Sequence, residues 1–209
     1  MTKPGKFITL EGGEGVGKTT NVPFIKDYLQ SQNIPVLVTR EPGGTGLAEN
    51  IRSLLLQGND EEVTSHAEIL LMFAARAQHV RHIIKPALAQ GQWVLCDRFT
   101  DATYAYQGGG RGMPLEIIGW LENFVQDGLR PDLTLLLDIP VETGMARAKS
   151  RAGQLDRFES EELEFFNRVR QVYLELAQHY PGRIKIIKAD QPLASVQNAI
   201  VEYLKPLFL

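Results

Sequence analysis

The feature that most constrains this chain is Gly12-Gly13-Glu14-Gly15-Val16-Gly17-Lys18-Thr19, which fits G-x-x-x-x-G-K-[ST] at every defined position. An apolar run, Phe7-Ile8-Thr9-Leu10, precedes it, and a helical pattern follows to about Gln30. Glycines at these spacings let the backbone curl until successive N–H groups point inward around an anion. The following helix turns its positive end toward the same point. Lys18 is then placed to reach β- and γ-phosphates, and the Thr19 hydroxyl to ligate Mg²⁺. Pro23, a few residues into the helix, removes one backbone donor and is expected to bend the axis.

The rest of the chain alternates short apolar runs with longer helical stretches. Further strands are expected at Pro35–Thr39, Trp93–Cys96, Leu133–Leu137 and Arg183–Lys188, with helices near Leu47–Gln57 and Ser65–Gln90 and a last helix closing the chain. Gly108-Gly109-Gly110 is expected to break the short helix after the third strand, and Pro114 to open the next. Continuously apolar strands separated by helices imply a parallel sheet covered on both faces. With right-handed crossovers this is an α/β fold, three-layer α/β/α with a five-stranded parallel sheet, of P-loop NTPase type. Ligands in such folds bind beyond the carboxyl ends of the strands, where Glu11, Arg40, Asp97 and Asp138 all fall.

At 209 residues the chain reads as one domain, 1–209, with a small mobile lid at about 147–159. A formal net charge of −3 gives no basic surplus for a nucleic-acid partner. Cys96 is the lone cysteine and suits a reducing compartment. Neither an apolar leader after Met1–Lys6 nor a stretch of about 20 apolar residues is present, so a cytoplasmic protein without a membrane partner is expected. His66, His79, His82 and His179 show no metal-ligand spacing and read as structural or surface residues.

The chain lacks an N-K-x-D guanine-reading segment and is short for a motor or helicase. What remains is a small-molecule kinase that closes over two anionic substrates. Three segments narrow the choice: Thr39-Arg40-Glu41-Pro42-Gly43-Gly44-Thr45; Asp97-Arg98-Phe99 followed by Tyr104-Ala105-Tyr106-Gln107-Gly108-Gly109-Gly110-Arg111; and a basic flap from Arg147 to Glu159 ahead of an amphipathic helix. Together they resemble the thymidylate kinase family from about Phe7 to Asp190. The resemblance implies transfer of the γ-phosphoryl group of ATP·Mg²⁺ to dTMP, giving dTDP and ADP on the way to dTTP, by a homodimer. A P-loop kinase of another nucleotide or deoxynucleoside, or a non-catalytic nucleotide sensor, is the alternative. Two departures stand out. Position 99 is Phe where the family often has Tyr or His, and no basic residue precedes Lys18 in the loop.

Site expectations follow from strand-end position and from the resemblance. Gly12, Gly13, Glu14, Gly15, Val16, Gly17, Lys18 and Thr19 would hold ATP, with Arg147 and Arg151 of the lid. Since the loop lacks an extra basic residue, Arg151 is the leading lid candidate and Arg147 the second. Lys18, Arg98, Arg151 and Glu14 are the catalytic set. Arg98 would grip the acceptor phosphate in two parallel bonds, with Arg40 assigned a similar role. Thr19, Asp97 and, in the outer shell, Glu159 would serve the metal. By resemblance, Glu14 lies near the acceptor sugar and phosphate. Phe73 and Arg76, three apart on one helical face, would supply a plate for the base and a donor to its O4. Thr103 and Gln107 would touch the base edge, and Tyr106 would fill the space of a ribose 2′-hydroxyl.

Overall fold

The computed structural model describes residues 4–56, 61, 63–150, 157–158 and 161–208. The five apolar runs are five strands: β1 (Phe7–Glu11), β2 (Val36–Arg40), β3 (Trp93–Asp97), β4 (Leu133–Asp138) and β5 (Ile184–Lys188). They form one sheet in the order β2-β3-β1-β4-β5, and each pairing is parallel. Helices cover both faces, as continuous apolar strands require.

Side-chain parity along β1 divides the core. Ile8 and Leu10 join Leu133, Leu135 and Leu137 on one face, packed against α1 (Lys18–Ser31) and α9 (Leu193–Leu204) through Ile25, Leu29, Val196, Ile200 and Leu204. Each such side chain contributes about 1.5–3 kcal/mol when fully buried, and together they fix α1 behind the glycine-rich loop. Pro23 lies inside α1 without ending it. The opposite face carries Phe7, Val94 and Cys96 against Val80, Ile84 and Ala87. Beyond them Leu136 packs on Phe165, Phe166, Val169 and Tyr173 of α8 (Leu163–His179).

Between β2 and β3 lie α2 (Gly46–Leu56), α3 (Ser65–His79) and α4 (Lys85–Ala89). The single helix expected near Ser65–Gln90 is continuous but widens into a π-helical turn at Val80–Ile84. Pro86 explains the widening. It has no N–H for the carbonyl of residue 82 and its ring would strike that carbonyl, so Lys85 donates to Val80 O instead.

After β3, α5 (Thr100–Thr103) continues as a π-helical stretch through Gly110. The three glycines therefore do not break this helix. They let α8 approach it: a Cβ on Gly109 would lie 2.9 Å from Arg168 O, and one on Gly110 would lie 2.4 Å from the Phe165 ring. α6 (Leu115–Gln126) and α7 (Val141–Lys149) are the remaining α-helices among the described residues. No helix among the described residues is long and apolar enough to cross a membrane.

A polar network runs beneath the carboxyl end of β1. Glu11 is fully buried and accepts from Phe99 N at 2.7 Å and Tyr173 Oη at 2.8 Å. Beside it Asp101 accepts two bonds from Arg183, at 2.6 and 2.9 Å. Burial first, and the Asp101 charge second, push the Glu11 carboxyl up to about 8. A carboxyl with a raised folded pKa holds its proton more tightly in the native state than when unfolded. Its contribution is thus fully present below about pH 4.5 and is lost as pH rises toward about 8. The loss should amount to a few kcal/mol, on the order of 1.4 per pKa unit. Thermal unfolding of wild type between pH 5 and 9, which takes in most of this window, should show that decline, and Glu11→Gln should flatten it. A variant curve parallel to wild type would assign the decline to other groups.

Candidate active site

The glycine-rich loop leaves β1 and enters α1 at the carboxyl edge of the sheet. Gly15 has φ +67°, and a Cβ there would lie 2.0 Å from Gly144 O of α7. Only glycine permits this backbone and this approach together. Lys18 Nζ folds back over its own loop, donating to Gly12 O at 3.0 Å and Gly13 O at 2.8 Å. Burial, and then the Arg98 charge, lower its pKa to about 8, against the opposing pull of Glu14, Asp97 and Glu11. A phosphate oxygen arriving in the loop would replace two neutral carbonyls with a charged partner, a stronger bond for an ammonium.

Arg98 sits across the loop from Lys18. Its φ of +67° is unusual for a side chain of this size and costs roughly 1–2 kcal/mol. The surrounding main chain holds it there: Arg98 N donates to Leu10 O at 3.1 Å, and Glu11 takes the next N–H, that of Phe99. The side chain donates from Nη1 to Gly12 O at 3.0 Å and from Nη2 to Glu14 Oε1 at 2.6 Å, lying 4.7 Å over the Tyr106 ring. Tyr106 Oη donates to the same Glu14 oxygen at 2.8 Å. Glu14, Arg98 and Tyr106 are thus one cluster at the mouth of the loop.

A cavity of 760 Å³ runs past this cluster. At one end it is lined by Arg147, Ala189, Gln191, Leu193 and Val196, and in the middle by Glu14–Thr19 of the loop, Asp97 and Arg98. At the other end Met72, Arg76, Phe99, Thr103, Tyr106 and Gln107 close it. Asp97 Oδ1 is buried without a hydrogen-bond partner among the described residues, and so is Arg76 Nη1. The other donors of Arg76 are taken, Nε by Glu41 Oε2 at 2.7 Å and Nη2 by Thr103 Oγ1 at 2.9 Å. Gln107 Nε2 donates to the buried Glu68 at 2.8 Å. Arg147 Nη1 donates to Ala189 O at 3.3 Å.

The structure therefore brings Glu14, Lys18, Thr19, Asp97, Arg98, Arg76, Thr103, Tyr106, Gln107 and Arg147 to one cavity. Gly12 and Gly13 do not line it themselves, and two of the expected acceptor-side residues stand elsewhere. Phe73 is 2% exposed and packs into a core cluster with Ile69, Met113, Ile118 and Leu121; its neighbour Met72 makes the cavity wall. Arg40 does not line the cavity. Its side chain is 53% exposed and pairs with Glu49 at 2.9 Å on the surface, while Arg52 of α2 reaches the cavity and donates to Pro42 O at 3.0 Å. Arg151 and Glu159 lie outside the described residues. Glu41, Arg52, Met72 and Phe99 are cavity residues that sequence reasoning missed. Of these, Arg52 could have been found, since it follows Ile51 on a helix whose buried stripe is Ala48, Ile51 and Leu55.

Comparison with known proteins agrees with this geometry. The family model described as thymidylate kinase matches residues 10–200. The thymidylate kinase of Methylococcus capsulatus is 57% identical over 197 residues, covering 94% of this chain and 93% of that protein. That of Pseudomonas entomophila is 60% identical over 196 residues, with 94% and 93% covered. The crystal structure of thymidylate kinase from Ehrlichia chaffeensis superposes with a TM-score of 0.77 at 35% identity, covering 96% of this chain and 99% of that one. This chain belongs to the thymidylate kinase family.

Proposed function

We propose that this chain transfers the γ-phosphoryl group of ATP to dTMP, giving dTDP and ADP. The observation that carries the reading is one cavity with a phosphate-binding loop in its middle and Arg98 beside it, closed at one end by Arg76 with an unspent N–H. ATP would lie with its phosphates in the loop and its nucleoside toward Arg147 and Leu193. The acceptor phosphate would meet Arg98 and Arg52. Arg76 Nη1 would donate to thymine O4, against a wall of Met72 and Phe99. Cytosine offers an amino group at that position, so the same N–H would face a donor and remain unpaired, at a cost of about 1–3 kcal/mol. Tyr106, fixed by Glu14, would stand where a ribose 2′-hydroxyl projects.

The chain's own residues have little covalent work, because the nucleophile is a phosphate oxygen that needs no strong base. They align donor and acceptor and neutralise the moving group. Lys18 and Arg98 supply that charge, joined by lid arginines, Arg147 and Arg151. The unpartnered Asp97 oxygen and the Thr19 hydroxyl line the same cavity, a hard-oxygen pair suited to Mg²⁺ directly or through its waters. Bound there, the metal would draw negative charge from the phosphate oxygens.

A homodimer is also part of the proposal. α6 turns outward a row of Ile117, Trp120 and Phe124, the last two 63% and 74% exposed and stacked at 5.3 Å. Leu70 of the neighbouring α3 is exposed as well. An apolar row of this kind marks an association surface. Trp120→Asp with Phe124→Asp should shift the sedimenting species from dimer to monomer. An unchanged sedimentation profile would place any association elsewhere.

The activity itself is tested by ADP release with dTMP, dUMP, UMP, CMP, AMP and GMP side by side. The expected result is acceptor-dependent ADP formation with dTMP, at least about a hundredfold above CMP. A faster reaction with another nucleotide would reassign the acceptor. ATP binding without acceptor-dependent ADP formation would favour the non-catalytic sensor.

A further inference from the structure

The Arg76 guanidinium is only as well aimed as the carboxylate that holds it, and that carboxylate has a second partner. Glu41 gives Oε2 to Arg76 Nε at 2.7 Å and Oε1 to His79 Nδ1 at 2.9 Å. The His79 ring is fully buried, and its Nε2 lies 2.7 Å from Thr39 Oγ1 on the edge strand β2. A carboxylate only accepts, so Nδ1 carries the proton in this bond. Gly44, at φ +87°, closes the chain over the ring: a Cβ there would lie 2.5 Å from His79 Cδ2 and 2.9 Å from Thr39 Oγ1. A line of contacts thus runs from the sheet edge through Thr39, His79 and Glu41 to Arg76. His79 and Arg76 are three apart on α3, and both face Glu41. His79 does not line the cavity.

We propose that His79 is a positioning residue for reading the acceptor base. Held by Thr39 and Gly44, it stops the Glu41 carboxylate from pivoting and so fixes the direction of Arg76 Nη1. Thr103 fixes the other edge of the guanidinium, which leaves the open N–H one orientation toward the base. Without His79, Glu41 has a free oxygen and a free torsion, and the donor spreads over several directions. The loss is in recognition of the base, because Lys18 and Arg98 are held by other partners. This deepens the assignment of dTMP as acceptor and rests on it.

The test compares wild type, His79→Leu and His79→Asn, whose side-chain amide N–H can stand where Nδ1 donates. KM and kcat are measured for ATP and for dTMP, or for whichever nucleotide wild type uses best, beside dCMP as competitor. His79→Leu should raise the acceptor KM about tenfold and narrow the preference over dCMP severalfold, with kcat within about twofold and the ATP KM unchanged. His79→Asn should recover the acceptor KM to within about threefold of wild type. Should the leucine variant fold poorly, Thr39→Val removes the ring's second partner at constant volume and should raise the acceptor KM severalfold. The proposal is overturned if Asn and Leu behave alike, if the ATP KM and kcat shift together with the acceptor KM, or if Thr39→Val leaves that KM unchanged. A wild-type preference for another nucleotide would refute the acceptor assignment alone, while the variant ratios would still report on the relay.

Discussion

Lys18→Ala is expected to lower kcat/KM by about 10³-fold or more, roughly 4 kcal/mol of transition-state stabilisation. Its Nζ is the one loop cation, and among the described residues it donates to the Gly12 and Gly13 carbonyls alone. Both bonds would be exchanged for phosphate contacts when ATP binds. The low pKa supplies an independent check on the same residue. Because the free protein holds this proton only to about pH 8 and a bound polyphosphate would hold it more tightly, ATP affinity should weaken as pH rises past about 8. Calorimetry above that pH should detect proton uptake on ATP binding, and Lys18→Ala should abolish it. Binding without uptake in wild type would mean that Lys18 is charged before ATP arrives.

The second large effect belongs to Arg98. Arg98→Ala should reduce kcat/KM for dTMP by about 10²–10³-fold, with ATP affinity nearly retained, if the residue grips the acceptor phosphate as proposed. Arg98→Lys should recover little, because an ammonium cannot reproduce a two-point grip on phosphate while still meeting Gly12 O and Glu14. The backbone makes the prediction sharper. At φ +67° alanine is strained and glycine is not, so Arg98→Gly should be more stable than Arg98→Ala by roughly 1 kcal/mol while equally inactive. Activity that followed stability across the three variants would reduce Arg98 to a structural role.

The order of strands and helices and the loop itself could be read from the chain because each rests on local pattern. Apolar runs alternate with helical stretches, and the glycine spacing has one mechanical use. Expectation and placement part where direction depends on packing. In Glu68–Ala75 nearly every residue is apolar, so helical phase is undefined. Leu70 faces solvent, Met72 the cavity and Phe73 the core, so the wall proposed for the base is Met72, one position before the residue expected from sequence. At the end of β2 successive side chains alternate sides. Arg40 goes to the surface with Glu49, and Glu41 goes inward to Arg76 and His79. His79 reads from the sequence as a structural or surface residue, and its partners are invisible there because Thr39 and Glu41 lie 40 and 38 residues away in the chain. The widened turns near Val80 and Tyr104 follow from a proline and from a close helix contact. Only the proline is visible before folding.

The account depends on donor and acceptor lying end to end in a single cavity, their phosphates meeting between Lys18 and Arg98. An adenosine joined to a thymidine through a chain of phosphates long enough to span both sites tests this directly by inhibition kinetics. The compound should compete with ATP and with dTMP alike, and bind far more tightly than either nucleotide alone. Competition with ATP only, leaving the apparent KM for dTMP untouched, would contradict it.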